Sequence, residues 1–248
     1  MILTRRTLIG SLAATTLAGC DAVGRNPAAR DILFSAENMH RWLQRSLAGR
    51  TAMAREFRPD QISPIFRGNG TQNPDTPEYQ AHAAASFADW RIAVDGLVAR
   101  PLSLSMAELR RMPARTQITR HDCVEGWSAI VKWHGPPLKL LLDAAGMSSR
   151  ARYLVFHCAD RFGAAPYYES LDLIEALHPQ TILAWALNDA PLTVRNGAPM
   201  RLRCERQLGY KHAKYVQRIE AVADLKPIYG GNGGYWEDKA GYEWYAGI

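Results

Sequence analysis

The sequence predicts an α+β fold. Period-two alternation recurs at 90–94, 116–120, 153–158 and 216–221, the pattern of half-buried strands. Between these runs stand short segments with helical punctuation, at 105–112 and 138–145. The chain has 248 residues, a length that suits one large domain or two small ones and encloses a core without staples.

In chain order, the first 19 residues carry Arg5 and Arg6 and no acid, followed by a short apolar run. That run falls far short of the roughly 20 residues a membrane-spanning helix needs. The twin arginines predict an export signal of the type used for folded passengers. Leu17-Ala18-Gly19-Cys20 resembles a lipoprotein cleavage box, so lipidation of Cys20 and, with Asp21 beside it, anchoring at the periplasmic side of an inner membrane are expected. Residues 20–34 then read as a tether and 35–248 as a single domain. Without Arg5 and Arg6 the chain has 28 basic residues against 24 acidic, too mild and too dispersed a balance for nucleic acid.

Ser35 caps an expected helix whose apolar stripe is Met39, Trp42, Leu43 and Leu47. The stretch 57–79 holds too many turn residues for regular structure, and long ordered loops of this kind carry function. Trp90, Ile92 and Val94 followed by Asp95-Gly96 read as the edge of a hairpin. Ser105 with Glu108 three residues later predicts a capping box for the next helix. Residues 170–177 read as helix-like and 182–187 as one strand, turned by Asn188-Asp189-Ala190-Pro191.

The run from Arg120 to Gly135, RHDCVEGWSAIVKWHG, holds one cysteine at a strand-to-loop junction. Two readings of Cys123 stand side by side: a thiolate held by Arg120, His121 and Lys132, or a buried core cysteine. Cys158 and Cys204 pair in an oxidising compartment or remain buried thiols. No Cys/His spacing suggests zinc, iron–sulfur or covalent haem ligation.

Three motifs carry a resemblance. Cys123-Val124-Glu125-Gly126-Trp127-Ser128, Asn196-Gly197-Ala198-Pro199-Met200-Arg201 and Gly209-Tyr210-Lys211-His212-Ala213-Lys214 resemble the cofactor-binding segments of the sulfite-oxidase superfamily of molybdoenzymes. They are most similar to the bacterial methionine sulfoxide reductase catalytic subunits, and 90–113 resembles the opening of the same domain. The resemblance implies mixed β-sheets with surrounding helices and, for want of length, no C-terminal dimerisation domain. It implies a molybdenum–molybdopterin cofactor with Cys123 as the catalytic metal ligand, a soft sulfur donor suited to that metal. Asn69, His157, Cys158, Asn196, Arg201, His212 and Lys214 are the implied cofactor contacts, His157 and Cys158 standing near a position where the family has threonine. Arginine's planar fork suits phosphate oxygens.

The implied reaction is oxygen-atom transfer, in the direction of reducing a small or protein-bound sulfoxide, with electrons from a membrane quinol or haem partner. Sulfite-oxidase-like oxidation of a small sulfur substrate and a non-catalytic membrane-anchored lipoprotein are the alternatives. A thiol enzyme with Cys123 as nucleophile and His121 or His157 as base is a third reading of the same residues.

Overall fold

A computed structural model of the chain describes residues 26–248. The export signal, Cys20 and most of the tether lie outside the described residues. Two compact units divide the chain, one up to Gly49 and one Arg50–Ile248. The first contains helix α1 (Pro27–Ala48). It starts well before Ser35 because Pro27 is tolerated in the first turn, where its missing N–H leaves no bond unmade, and the alanines after it favour helix. The helix therefore runs through part of the stretch read as a tether.

In the larger unit, helix α2 (Pro77–Ala84) closes the long loop, capped by the Thr76 hydroxyl, which accepts the Tyr79 N–H. Strand β1 (Arg91–Gly96) pairs antiparallel with β2 (Leu102–Ser105). Helix α3 (Met106–Arg111) follows with the expected capping box: the Ser105 hydroxyl accepts the Glu108 N–H and Glu108 accepts the Ser105 N–H at 2.7 Å. Then come β3 (Arg115–Asp122), β4 (Ser128–Gly135), helix α4 (Leu138–Ala145), β5 (Tyr153–Phe162) and β6 (Ala165–Asp172). A single turn, α5 (Leu173–Ala176), is capped by the Asp172 carboxylate. Ser170 and Leu171 are thus strand, paired with Val155 and Leu154, rather than the start of a helix.

The last elements are β7 (Ile182–Ala184), β8 (Ala186–Leu187), β9 (Ala190–Pro191), β10 (Arg201–Arg203), β11 (Val216–Val222) and α6 (Tyr235–Ala240). One sheet has the order β2-β1-β11-β5-β6, a second β3-β4-β8-β9, and β7 and β10 form a two-stranded ladder. The single strand expected over 182–187 is divided between the last two at Trp185, whose N–H bonds the His134 carbonyl. β1 is an inner strand, not an edge: β11, from the far end of the sequence, runs parallel beside it. That one parallel pair makes the five-stranded sheet mixed. The fold is α+β, with mixed sheets flanked by helices.

Ile92, Val94, Leu154, Phe156 and Ile219 on the large sheet pack with Tyr79, Leu109, Leu138 and Leu141 from the helices. A second cluster, centred on Val131, Trp133 and Ile182, backs the smaller sheet and receives Phe66 and Trp127. Each such aliphatic or aromatic side chain contributes about 1.5–3 kcal/mol by burial.

Among the described residues no helix is long and apolar enough to cross a membrane. α1 has 22 residues but includes Arg30, Asp31, Glu37, Arg41 and Arg45, and each central charge is costly in hydrocarbon. This corrects two expectations from the sequence, the placement at an inner membrane with a lipid anchor and the membrane quinol or haem partner. Neither is carried further.

Candidate functional site

β3 and β4 form a hairpin whose last register pair is Asp122 with Ser128, leaving Cys123 to Trp127 as the connection. The Cys123 N–H bonds the Trp127 carbonyl at 2.9 Å and the Gly126 N–H bonds the Cys123 carbonyl at 3.0 Å. Gly126 sits at φ +85°, a left-handed conformation that costs a residue with a Cβ about 1–2 kcal/mol. The turn places Cys123 in the lining of a cavity of about 140 Å³, which Arg201, His212, Lys214, Asn69 and Asp160 also line.

Cys123 is 5% exposed, and the Asn69 amide lies against its sulfur at 3.4 Å. Burial pushes the thiol above its usual range, with the Glu125 backbone N–H and Asn69 opposing and the Glu125 charge adding to it. The three cations read from the sequence as its partners are engaged elsewhere. Arg120 pairs with Asp122 at 2.9 Å and Lys132 with Asp189 at 2.6 Å. The Nδ1 of His121 takes a hydrogen bond from Arg203 at 2.8 Å, and burial together with Arg203 and Arg201 holds this ring neutral. The idea of a thiolate held by Arg120, His121 and Lys132 is thereby corrected: Arg120 and Lys132 pair with carboxylates, and His121 carries no charge.

Cationic groups gather along the cavity. Arg203 is answered by Glu205, two bonds at 2.6 and 3.0 Å, and its guanidinium lies over Trp133. It also donates to His212 Nδ1, while His212 Nε2 donates to the Cys204 and Gln207 carbonyls at 3.0 and 3.1 Å. The two contacts set the His212 tautomer, Nε2 protonated, and burial and Arg203 keep the ring uncharged. Arg201 is different. Its Nη atoms reach only the Asn196 and His212 carbonyls at 3.1 and 3.5 Å, and its Nε is buried with no partner. Burial and Arg203 depress its pKa to about 9. Lys214 donates to the carbonyls of Asn69 (2.8 Å), Thr71 and Arg195 (3.3 Å); burial and Arg201 lower its pKa to about 7. Lys214 therefore pins the loop that holds Asn69 against Cys123.

Gly197, at φ +102°, backs onto this lysine: a Cβ there would stand 2.9 Å from Lys214 Cγ. That close approach explains the glycine of the Asn-Gly-Ala-Pro motif. Asn196 itself is not among the lining side chains, but its Oδ1 is buried and unpartnered beside Arg201. His157 and Cys158 also lie off the cavity lining. His157 bonds Glu220 at 2.9 Å and Tyr229 at 3.0 Å; Cys158 is buried with its sulfur toward the Phe156 carbonyl. Cys123, Cys158 and Cys204 are free thiols.

Sequence reasoning missed Asp160, Thr71 and Tyr167, which line the cavity together with Tyr210, Trp236 and Tyr242. Asp160 carries no motif, and it falls where the β5–β6 register shifts between His157 and Arg161, so alternation cannot say which way it faces. In the C-terminal segment Trp236 stacks on Tyr242 and meets Phe162, and the three rings wall the cavity.

Residues 78–229 match the family model described as the oxidoreductase molybdopterin binding domain. The chain is 40% identical over 198 residues to a protein of Azospira oryzae provisionally named protein-methionine-sulfoxide reductase subunit YedZ1, covering 77% of this chain and 70% of that one. In fold it is similar to the sulfane dehydrogenase SoxCD of Paracoccus pantotrophus, with a TM-score of 0.54, 22% identity, and coverage of 62% of this chain and 41% of that one. The chain is an enzyme, a molybdopterin-domain oxidoreductase related to the Azospira oryzae protein, and it belongs to the oxidoreductase molybdopterin-binding domain family.

Proposed function

We propose that the chain reduces sulfoxides by oxygen-atom transfer at a mononuclear molybdenum centre, with Cys123 as the protein's ligand to the metal. The observation that carries this reading is a thiol and two cations without carboxylate partners, Arg201 and Lys214, lining one cavity. An anionic group fits there: Arg201 Nε is buried and unpartnered, and carbonyl contacts do not cancel the charges of Arg201 and Lys214. A buried cation without an anion is costly, so these side chains await one. Among the described residues no cluster of three or more His, Cys, Asp or Glu side chains is placed to hold a metal ion. In this reading Cys123 is the one protein donor to a metal otherwise held by the sulfurs of its organic cofactor.

When bound, the cofactor supplies a centre that exchanges an oxo group and an electron pair with the substrate. The chain's own part is to bind and orient. Arg201 offers the phosphate end a charge-assisted donor, with Lys214 adding charge and Asn196 a free acceptor. Arg203 and Glu205 hold His212, which braces the loop running from Cys204 to Lys214. Asn69 orients the Cys123 sulfur, and the aromatic wall of Trp236 and Tyr242 shelters the opening. His157 and Cys158 receive no part in this scheme. A sulfoxide rather than sulfite is favoured by the Cys-Val-Glu-Gly-Trp wording of the hairpin and by the name of the relative from Azospira oryzae.

Metal and pterin analysis of the purified protein, with viologen-driven sulfoxide reduction, tests the reading. Cys123→Ser is expected to stay folded and keep pterin, yet to lose sulfoxide reduction and alter the Mo(V) paramagnetic spectrum. Retained reduction in that variant overturns the ligand assignment. Residues 1–19 fit the same scheme as a folded-passenger export signal, and processing of an Arg5→Lys, Arg6→Lys precursor at the normal rate would remove that part.

A further inference from the structure

One acid in the cavity has no place in the scheme above. Asp160 is 2% exposed, lines the cavity together with Arg201 and Lys214, and has its Oδ1 buried without a hydrogen-bond partner. Among the described residues it makes no ion pair within 4.0 Å with a lysine, arginine or histidine. A carboxyl group beside an anion-binding cation is out of place if the anion has no hydrogen to share. Two negative oxygens in a buried site repel, and such juxtapositions are how binding sites reject wrong partners.

We propose that Asp160 is a selectivity residue of the anion subsite made by Arg201 and Lys214, sharing one proton with the bound oxyanion, so that a phosphate group, which brings a hydrogen near neutral pH, is taken in preference to sulfate, which brings none. This rests on the reading of Arg201 and Lys214 as phosphate contacts. The ionisable groups around Asp160 come from every element packed on it: Cys158 on its own strand, Tyr167 on β6, Tyr79 on α2, and Lys214 and Tyr215 before β11. Among the described residues, Lys214 is the cation whose charge acts on Asp160. Burial raises Asp160 to about 6, with Thr71 and Lys214 opposing. Near pH 5 the carboxyl carries its own proton and donates to either anion. Near pH 7 it is ionised, and the hydrogen must come from the ligand. Inorganic phosphate still supplies one there, since even its dianion keeps one O–H group, whereas sulfate keeps none.

Equilibrium binding of inorganic phosphate and inorganic sulfate to the purified full-length chain, freed of cofactor, tests this at pH 5 and pH 7. Wild type is expected to bind both anions comparably at pH 5 and to prefer phosphate at pH 7 by about tenfold or more, the scale of one lost hydrogen bond, ~1.4 kcal/mol. In Asp160→Asn the amide donates to both anions at either pH, so the preference should flatten; Asp160→Glu should keep it. A wild-type ratio that does not change with pH, or a ratio unchanged in Asp160→Asn, overturns the proposal, as does binding of neither anion. Unchanged circular dichroism in the variants separates a lost preference from a lost fold. Molybdenum content of the protein as purified, measured before the cofactor is removed, separates the two readings: selection of phosphate by a preparation that arrived without metal sinks the reductase reading alone, and absence of selection in one that arrived with metal sinks this inference alone.

Discussion

At the scale of the residue, the turn that carries Cys123 shows how little slack the site has. Gly126 holds φ +85° with open space around its missing Cβ. Gly126→Ala should therefore cost backbone energy only, about 1–2 kcal/mol, read as a lower midpoint in thermal or denaturant unfolding. A midpoint equal to wild type would show that the turn relaxes. Arg201 presents the opposite balance. Its charge is buried against carbonyls and the rings of Trp133 and Phe66, with no carboxylate partner among the described residues, so Arg201→Met should raise the stability of the cofactor-free chain while lowering the pterin that copurifies. Such a trade is expected where a site is built at the expense of the fold. Unfolding curves and pterin fluorescence on the same preparation check both halves. A less stable variant with full pterin would reverse the assignment. Cys123 itself was legible as a residue worth attention, because the motif stood out; the charges imagined around it were not, because neighbours in sequence on a strand point to opposite faces.

At the scale of the element, the C-terminal segment is tied down by a buried ionic cluster. Lys211 reaches Glu169 on β6 at 2.7 Å and Glu237 on α6 at 2.5 Å, and all three are nearly inaccessible. Burial raises the Glu169 carboxyl well above its usual range, Lys211 opposes, and Glu237 adds to the rise. Removing the cation leaves two buried carboxyl groups facing each other, so Lys211→Met should cost about 3–5 kcal/mol. It should also loosen α6, and with it the Trp236 and Tyr242 wall. Limited proteolysis is the check, and cleavage within 230–248 ahead of global unfolding is the expected result. If the variant resists protease as wild type does, the cluster does not hold the segment. Lys211 stands in a motif that resembles a cofactor-binding segment; the fold assigns its charge to two glutamates distant in sequence, Glu169 and Glu237.

At the scale of the whole molecule, charge in the cavity makes anion binding dependent on pH. Lys214 is lowered in the folded chain to about 7 from an ordinary 10.5. The unfolded state therefore binds more protons between those values, and the cost to folding is largest below about pH 7 and disappears as pH rises through the unfolded value. An anion stabilises the charged lysine and acts in the other direction. Inorganic phosphate should accordingly raise the unfolding midpoint at pH 6 more than at pH 8.5, a difference that thermal scans with and without phosphate measure. Equal shifts at both would remove Lys214 from the anion subsite.

The sequence by itself determined the α+β class, the capping box of α3, the strand-to-loop position of Cys123 and the three motifs that converge on the cavity. Those features are local: alternation, caps and turns depend on residues a few positions apart, and a motif keeps its spacing whatever surrounds it. Only the tertiary structure decided that β1 is an inner strand beside β11, that 182–187 serves two sheets, and that His157 faces Glu220 and Tyr229 away from the cavity. It alone brought Asp160 and the aromatic tail to the site and gave Arg203 and Lys211 their carboxylate partners. Each of those outcomes depends on pairing between distant segments or on a shift in strand register. A change of one residue in register exchanges the two faces of a strand, and nothing in the residues nearby records it.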